Sequence, residues 1–83
     1  MATYKLVIER RAEGEFLAIP FPFRRQLNQL LFKLLDDPRS AGSELIDEGS
    51  FRVRACGRVV LYEVDDDRAL ITISGFRKEA PTN

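Results

Sequence analysis

The sequence predicts an α+β domain: an N-terminal strand, a helical segment, then a three-strand antiparallel meander, with the helical layer on one face of the sheet. Three observations carry this. Residues 3 to 9 alternate, with Tyr4, Leu6 and Ile8 on one face and Lys5, Val7 and Glu9 on the other. Residues 23 to 36 place Phe23, Leu27, Leu30, Leu31, Leu34 and Leu35 at the spacing of an amphipathic helix. From residue 51 onward, three β-rich runs are separated by the turn sequences Cys56-Gly57-Arg58 and Asp65-Asp66-Asp67-Arg68.

Between the first strand and the main helix, residues 10 to 19 read two ways. Gly14 turns a hairpin into a second strand, Phe16 to Ile19, or Ala12, Phe16 and Ile19 lie on one face of a helix. Pro20 and Pro22 then break the chain. Pro22 suits the first turn of the main helix, and Pro38 ends it after Asp36-Asp37. Phe32 falls off the apolar stripe, as a second contact or an exposed edge. Residues 38 to 50 form a polar connection rich in Ser, Gly and Asp, in which Leu45-Ile46 are expected to pin the loop to the core.

The first meander strand alternates Phe51, Val53 and Ala55 with Arg52 and Arg54. One face turns inward and the other displays two guanidinium groups side by side. The next, Val59 to Val64, is almost continuously apolar, as in a strand covered on both faces. The last runs from Ala69 to Ser74. After Gly75 come Phe76-Arg77-Lys78-Glu79 and a tail, Ala80-Pro81-Thr82-Asn83, without structural signal. With no repeat and no linker, residues 1–83 form a single domain.

Composition bounds the function. An 83-residue chain buries only roughly 60–65% of its unfolded surface, so a partner chain would add needed stability. No apolar run spans a bilayer, and no secretory signal opens the chain. One cysteine, Cys56, fits a reducing cytosol. The net charge is zero, but ten of the 13 cations are Arg. Arg holds phosphate and carboxylate through a planar fork of donors. A neutral chain lacks the broad field of a nucleic-acid protein, so such binding would come from a local patch. With no His and one Cys, neither a metal nor another cofactor is expected. Asp65 to Asp67 read as a turn.

Several segments, taken in order, resemble the RelE/ParE superfamily of toxins from type II toxin–antitoxin pairs. Ala12-Glu13, Phe16 and Ile19-Pro20 are similar to that family's first-helix signature. Leu34-Leu35-Asp36-Asp37-Pro38-Arg39 and Phe51-Arg52-Val53-Arg54 are similar to the end of its second helix and its first meander strand. Leu61-Tyr62-Glu63-Val64-Asp65-Asp66-Asp67 and Ile73-Ser74-Gly75-Phe76-Arg77 complete the match, which covers nearly the whole chain. The resemblance favours a helix over residues 10 to 19, and so a two-helix hairpin on the sheet in a RelE-like fold.

It implies a small cytoplasmic toxin held inactive by a cognate antitoxin whose helical segment wraps it. RelE-type members cut messenger RNA in the ribosomal A site and so inhibit translation. ParE-type members act on DNA gyrase. By position, Arg52 and Arg54 match the paired basic residues of the RNA-cleaving branch, and Arg77 matches its Arg after the last strand. These three are the implied catalytic residues, with Arg58 and Lys78 as implied RNA- or phosphate-binding residues. Two departures stand out. The family's Arg three residues before the Tyr matched by Tyr62 is here Val59, with Arg58 one place earlier, a shift that changes faces unless the turn bulges. The tail shows no Tyr or His where the family often carries one.

RNA cleavage through the 2′-hydroxyl needs a proton removed, a charged transition state stabilised and a leaving oxygen protonated. Arg52, Arg54 and Arg77 suit the second task but keep their protons. Lys78, Glu79 and Tyr62 are the remaining candidates for proton transfer, with Tyr62 also read as a sheet residue.

Overall fold

The computed structural model describes residues 4–39 and 42–79; the expected tail, residues 80 to 83, lies outside them. The order is β1 (Lys5–Ile8), α1 (Arg10–Leu17), α2 (Phe21–Asp36), β2 (Ser43–Asp47), β3 (Ser50–Ala55), β4 (Arg58–Asp65) and β5 (Leu70–Lys78). The open question over residues 10 to 19 resolves as a helix over Arg10–Leu17, with Ile19 just past its end. Ala12 and Ile19 are buried, and the Phe16 ring packs 5.0 Å from that of Phe76. In α2, with Pro22 in its first turn, Leu27, Leu31 and Leu34 are buried. Phe23, counted in the stripe, is 45% exposed, and Phe32, off it, is 69% exposed.

The five strands form one sheet in the order β1-β5-β4-β3-β2. β1 runs parallel to β5, and the remaining pairs are antiparallel. The polar connection expected over residues 38 to 50 instead contains an edge strand, β2, turning into β3 through Gly49 at φ 75°. Leu45 and Ile46 are 68% and 51% exposed, so they do not pin a loop to the core. The reason is the register: Leu45 pairs with Phe51 and Asp47 with Ser50, leaving Ile46 as a bulge on the outermost strand. The meander therefore has four strands. β3 and β4 join through Cys56 (φ 55°) and Gly57 (φ 71°), successive left-handed residues as in a type I′ hairpin turn.

The helices cover one face of the sheet. Phe51, Val53, Val60, Tyr62, Val64, Ile71, Ile73 and Phe76 are buried with the helical leucines in one cluster. Within it Phe51 and Tyr62 stack at 5.7 Å, and the Tyr62 hydroxyl donates a 2.6 Å hydrogen bond to the Pro38 carbonyl. That bond ties the exit of α2 to β4. A second tie lies nearby. The Asp66 carboxylate accepts hydrogen bonds from Arg39 at 2.9 and 3.3 Å and from the Tyr4 hydroxyl at 2.7 Å. Arg39 also lies over the Phe51 ring.

β5 is longer than its pattern predicts, continuing through Gly75 to Lys78. Leu61 pairs with Gly75 but Tyr62 pairs with Ile73, so Ser74 is an extra residue in the ladder. Its hydroxyl donates to the Leu61 carbonyl at 3.2 Å. Ile71 and Ile73 face the helices. Strict alternation would then send Gly75 and Arg77 inward and Phe76 outward. The bulge reverses this: Phe76 is 2% exposed in the core, and Arg77 turns to the open face.

Candidate functional site

The face of the sheet away from the helices carries the candidate site. Arg52 and Arg54 project there because Phe51 and Val53 are taken by the core. Arg54 pairs with Val59, and Val59 pairs with Arg77. Three neighbouring strands thus present Arg54, Val59 and Arg77 in a row. At one strand spacing per step, Arg54 and Arg77 stand about 9.5 Å apart at the backbone. In the row beside it, Arg52, Leu61 and Gly75 are aligned. Arg77 was expected after the last strand; it lies on β5, brought to this face by the Ser74 bulge.

Arg58 and Lys78 pair with each other at the same end of the sheet. Arg58 shares the phase of buried Val60 and Tyr62, so both stand on the opposite side of their strands from the three arginines. The bulge that would have re-aimed Arg58 is absent from the β3–β4 turn, where Arg58 pairs regularly with Ala55.

Each arginine of the open face is met by a carboxylate. Glu44 of β2 lies 3.3 Å from Arg52 and 3.9 Å from Arg54. Glu79 is 3.8 Å from Arg54, and Glu15 of α1 is 3.4 Å from Arg77. The arginine side chains remain 42–54% exposed, so their fields are shared with solvent and these pairs are weak. Arg52 Nε is buried without a partner among the described residues. A phosphate or carboxylate arriving from solvent can therefore compete for all three guanidiniums.

Proton transfer is less well provided. Tyr62 is 1% exposed and already engaged with Pro38, and burial raises its pKa above the ordinary value of 10.0. It is a sheet residue, out of reach of this face. The carboxylates Glu15, Glu44 and Glu79 accompany the arginines. Sequence reasoning missed Glu15 and Glu44. Glu44 becomes visible only once Gly49 is read as the turn of a β2–β3 hairpin, which sets it opposite Arg52. For Glu15 no local signal exists.

The other end of the open face has the reverse charge. A cleft of about 580 Å³ there is lined by Glu48, Glu63, Asp65, Asp66 and Asp67, with Arg68. Such a lining repels phosphate, so an anionic ligand is directed to the arginine end. Among the described residues no cluster of His, Cys, Asp and Glu is arranged to hold a metal. No helix is long and apolar enough to cross a membrane among those residues.

No protein-family model matches the chain, and no curated protein matches it. Solved structures do. The isolated RelE toxin of E. coli superposes with a TM-score of 0.86 at 22% identity, over 96% of this chain and 88% of that one. The archaeal RelE–RelB complex from Pyrococcus horikoshii gives a TM-score of 0.85 at 16% identity, over 96% and 99% of the two chains. The intact RelBE toxin–antitoxin complex of E. coli gives 0.81 at 23% identity, over 94% and 99%. The chain is built on the fold of these RelE toxins.

Proposed function

We propose that this chain, built on the RelE fold, is the toxin of a type II toxin–antitoxin pair. On this reading it is a cytoplasmic, RelE-type endoribonuclease that cuts messenger RNA on the ribosome, inhibits translation, and is neutralised by a cognate antitoxin. The observation that carries the reading is the convergence of Arg52, Arg54 and Arg77 on one open face, from two strands and across a bulge that serves to turn Arg77 outward.

Guanidinium groups stabilise a phosphorane-like transition state by charge and by forked hydrogen bonds. Arg54 and Arg77 approach the scissile phosphate from two sides, and Arg52 holds the neighbouring backbone. Arg58 and Lys78, on the other side of their strands, add phosphate contacts only where RNA passes over the sheet end. The arginines do not exchange protons, so the rate derives mainly from positioning and charge, with the ribosome aligning the message. The test is cleavage of message on translating ribosomes by the purified chain. Message left intact by folded protein would overturn the reading.

Two observations favour a second reading. Val59 occupies the middle of the Arg54–Arg77 row, and no side chain with an ordinary pKa near neutrality stands with these arginines among the described residues. A ParE-like inhibitor of DNA gyrase, or a family member that only binds its antitoxin, needs no proton transfer. Blocked supercoiling without RNA cleavage would identify the first. Tight antitoxin binding without toxicity would identify the second.

A further inference from the structure

We propose that Glu15 is a positioning residue for Arg77; this deepens, and rests on, the reading of Arg77 as a phosphate-binding group. The geometry is specific. Among the described residues β1 pairs with β5 only through Ile73, so beyond that point this edge of β5 has no strand neighbour among them. α1 runs along it. Oε1 of Glu15 accepts the Phe76 backbone N–H at 3.0 Å, while Oε2 lies 3.4 Å from Arg77 Nε. One carboxylate thus caps the sheet edge with one oxygen and holds the stem of the guanidinium with the other. Nε is the Arg77 nitrogen nearest Glu15, and among the described residues no hydrogen bond occupies the two terminal nitrogens, which can fork onto a phosphate.

Gly75 supplies the space. A Cβ there would stand 3.1 Å from Arg77 Nε and 3.3 Å from Glu15 Oε1, with Leu61 Cδ1 at 3.6 Å. The pair therefore occupies the volume left by a missing side chain. Glu15 is the less exposed partner, 26% against 46% for Arg77, and the backbone hydrogen bond fixes it. Glu44 differs: it meets Arg52 and Arg54 with no backbone anchor among the described residues. Anchoring separates a positioning carboxylate from a simple counter-charge. A pair this exposed adds little to stability, but misplacing a charge-stabilising group costs rate steeply.

The test uses Glu15→Gln, Glu15→Ala and Arg77→Ala in the full chain. Glutamine keeps one oxygen for the Phe76 N–H, but its amide nitrogen, a donor, would face the Arg77 Nε–H. Expected for Glu15→Gln are an unchanged melting temperature, a saturating rate of ribosomal message cleavage lower by about tenfold, and an unchanged half-saturating concentration. Glu15→Ala should lose the same rate and also melt earlier. In ¹⁵N spectra, the Arg77 Nε–H signal should shift in both variants. Wild-type cleavage by Glu15→Gln, with Arg77→Ala impaired, would overturn the inference and leave Glu15 as an edge cap. An Arg77 Nε–H signal unmoved by Glu15→Gln would overturn it whether or not the chain cleaves RNA. Full activity in Arg77→Ala would instead overturn the role of Arg77 in the proposed function.

Discussion

Replacing Tyr62 by Phe separates structure from chemistry at a residue the sequence offers both as a candidate for proton transfer and as a sheet residue. The side chain is 1% exposed, and its hydroxyl donates at 2.6 Å to the carbonyl of buried Pro38. The substitution keeps the ring, and with it the 5.7 Å stacking against Phe51. It removes the hydrogen bond to Pro38, leaving that acceptor unsatisfied, together with the one that Ser43 makes to the hydroxyl. The loss is about 1–2 kcal/mol, in the range for a buried acceptor left without its partner. For a domain of this length each kcal/mol moves Tm by about 4–8 °C, so Tm should fall by about 4–16 °C. At a temperature where both proteins are folded, message cleavage per folded molecule should be unchanged. Thermal unfolding followed by circular dichroism, with cleavage at 20 °C alongside, measures both. A tenfold loss of rate in folded Tyr62→Phe would return Tyr62 to the chemistry and overturn its assignment as a sheet residue. An unchanged Tm would refute the hydrogen-bond account.

Two further predictions follow from the geometry. Val59→Arg adds a cation between Arg54 and Arg77. It should tighten binding of a short single-stranded RNA and steepen its log–log salt dependence by about 0.7 for one added phosphate contact; an unchanged slope would refute the row of three positions. Hydrogen bonds from Arg39, and secondarily from Tyr4, lower the Asp66 pKa below its ordinary 3.8. A depressed carboxylate contributes stability above its unfolded pKa and loses it as pH falls through the folded one. The Tm of the wild type should therefore drop more steeply below about pH 4 than that of Asp66→Asn, and parallel pH curves would contradict the cluster.

How much was legible depended on whether a signal was local. The β3 alternation and the α2 stripe, apart from its exposed first member Phe23, are legible because side-chain period reports burial directly. β2 was missed because an edge strand with a bulge at Ile46 has no clean period, and its apolar residues stay in solvent. The segment 10 to 19 carried both a turn glycine and helical spacing. Tertiary packing of Ala12, Phe16 and Ile19 decides it. At the site, Arg52 and Arg54 were visible as a pair because one strand fixes both. The facing of Arg77 was not, since it turns on one extra residue, Ser74, which reverses the phase of all that follows. The carboxylate partners are set by contacts far apart in sequence, Glu15 to Arg77 most of all, and no pattern within one element encodes them.

On the proposed reading, the arginines of the open face act on RNA phosphate. The most direct measurement compares message cleavage on translating ribosomes by the wild type and by Arg52→Ala/Arg77→Ala, with folding of both checked by circular dichroism. Cleavage by the wild type is expected, and its loss in the double variant, with the fold intact. Equal cleavage by the two, or none by the wild type, would contradict it.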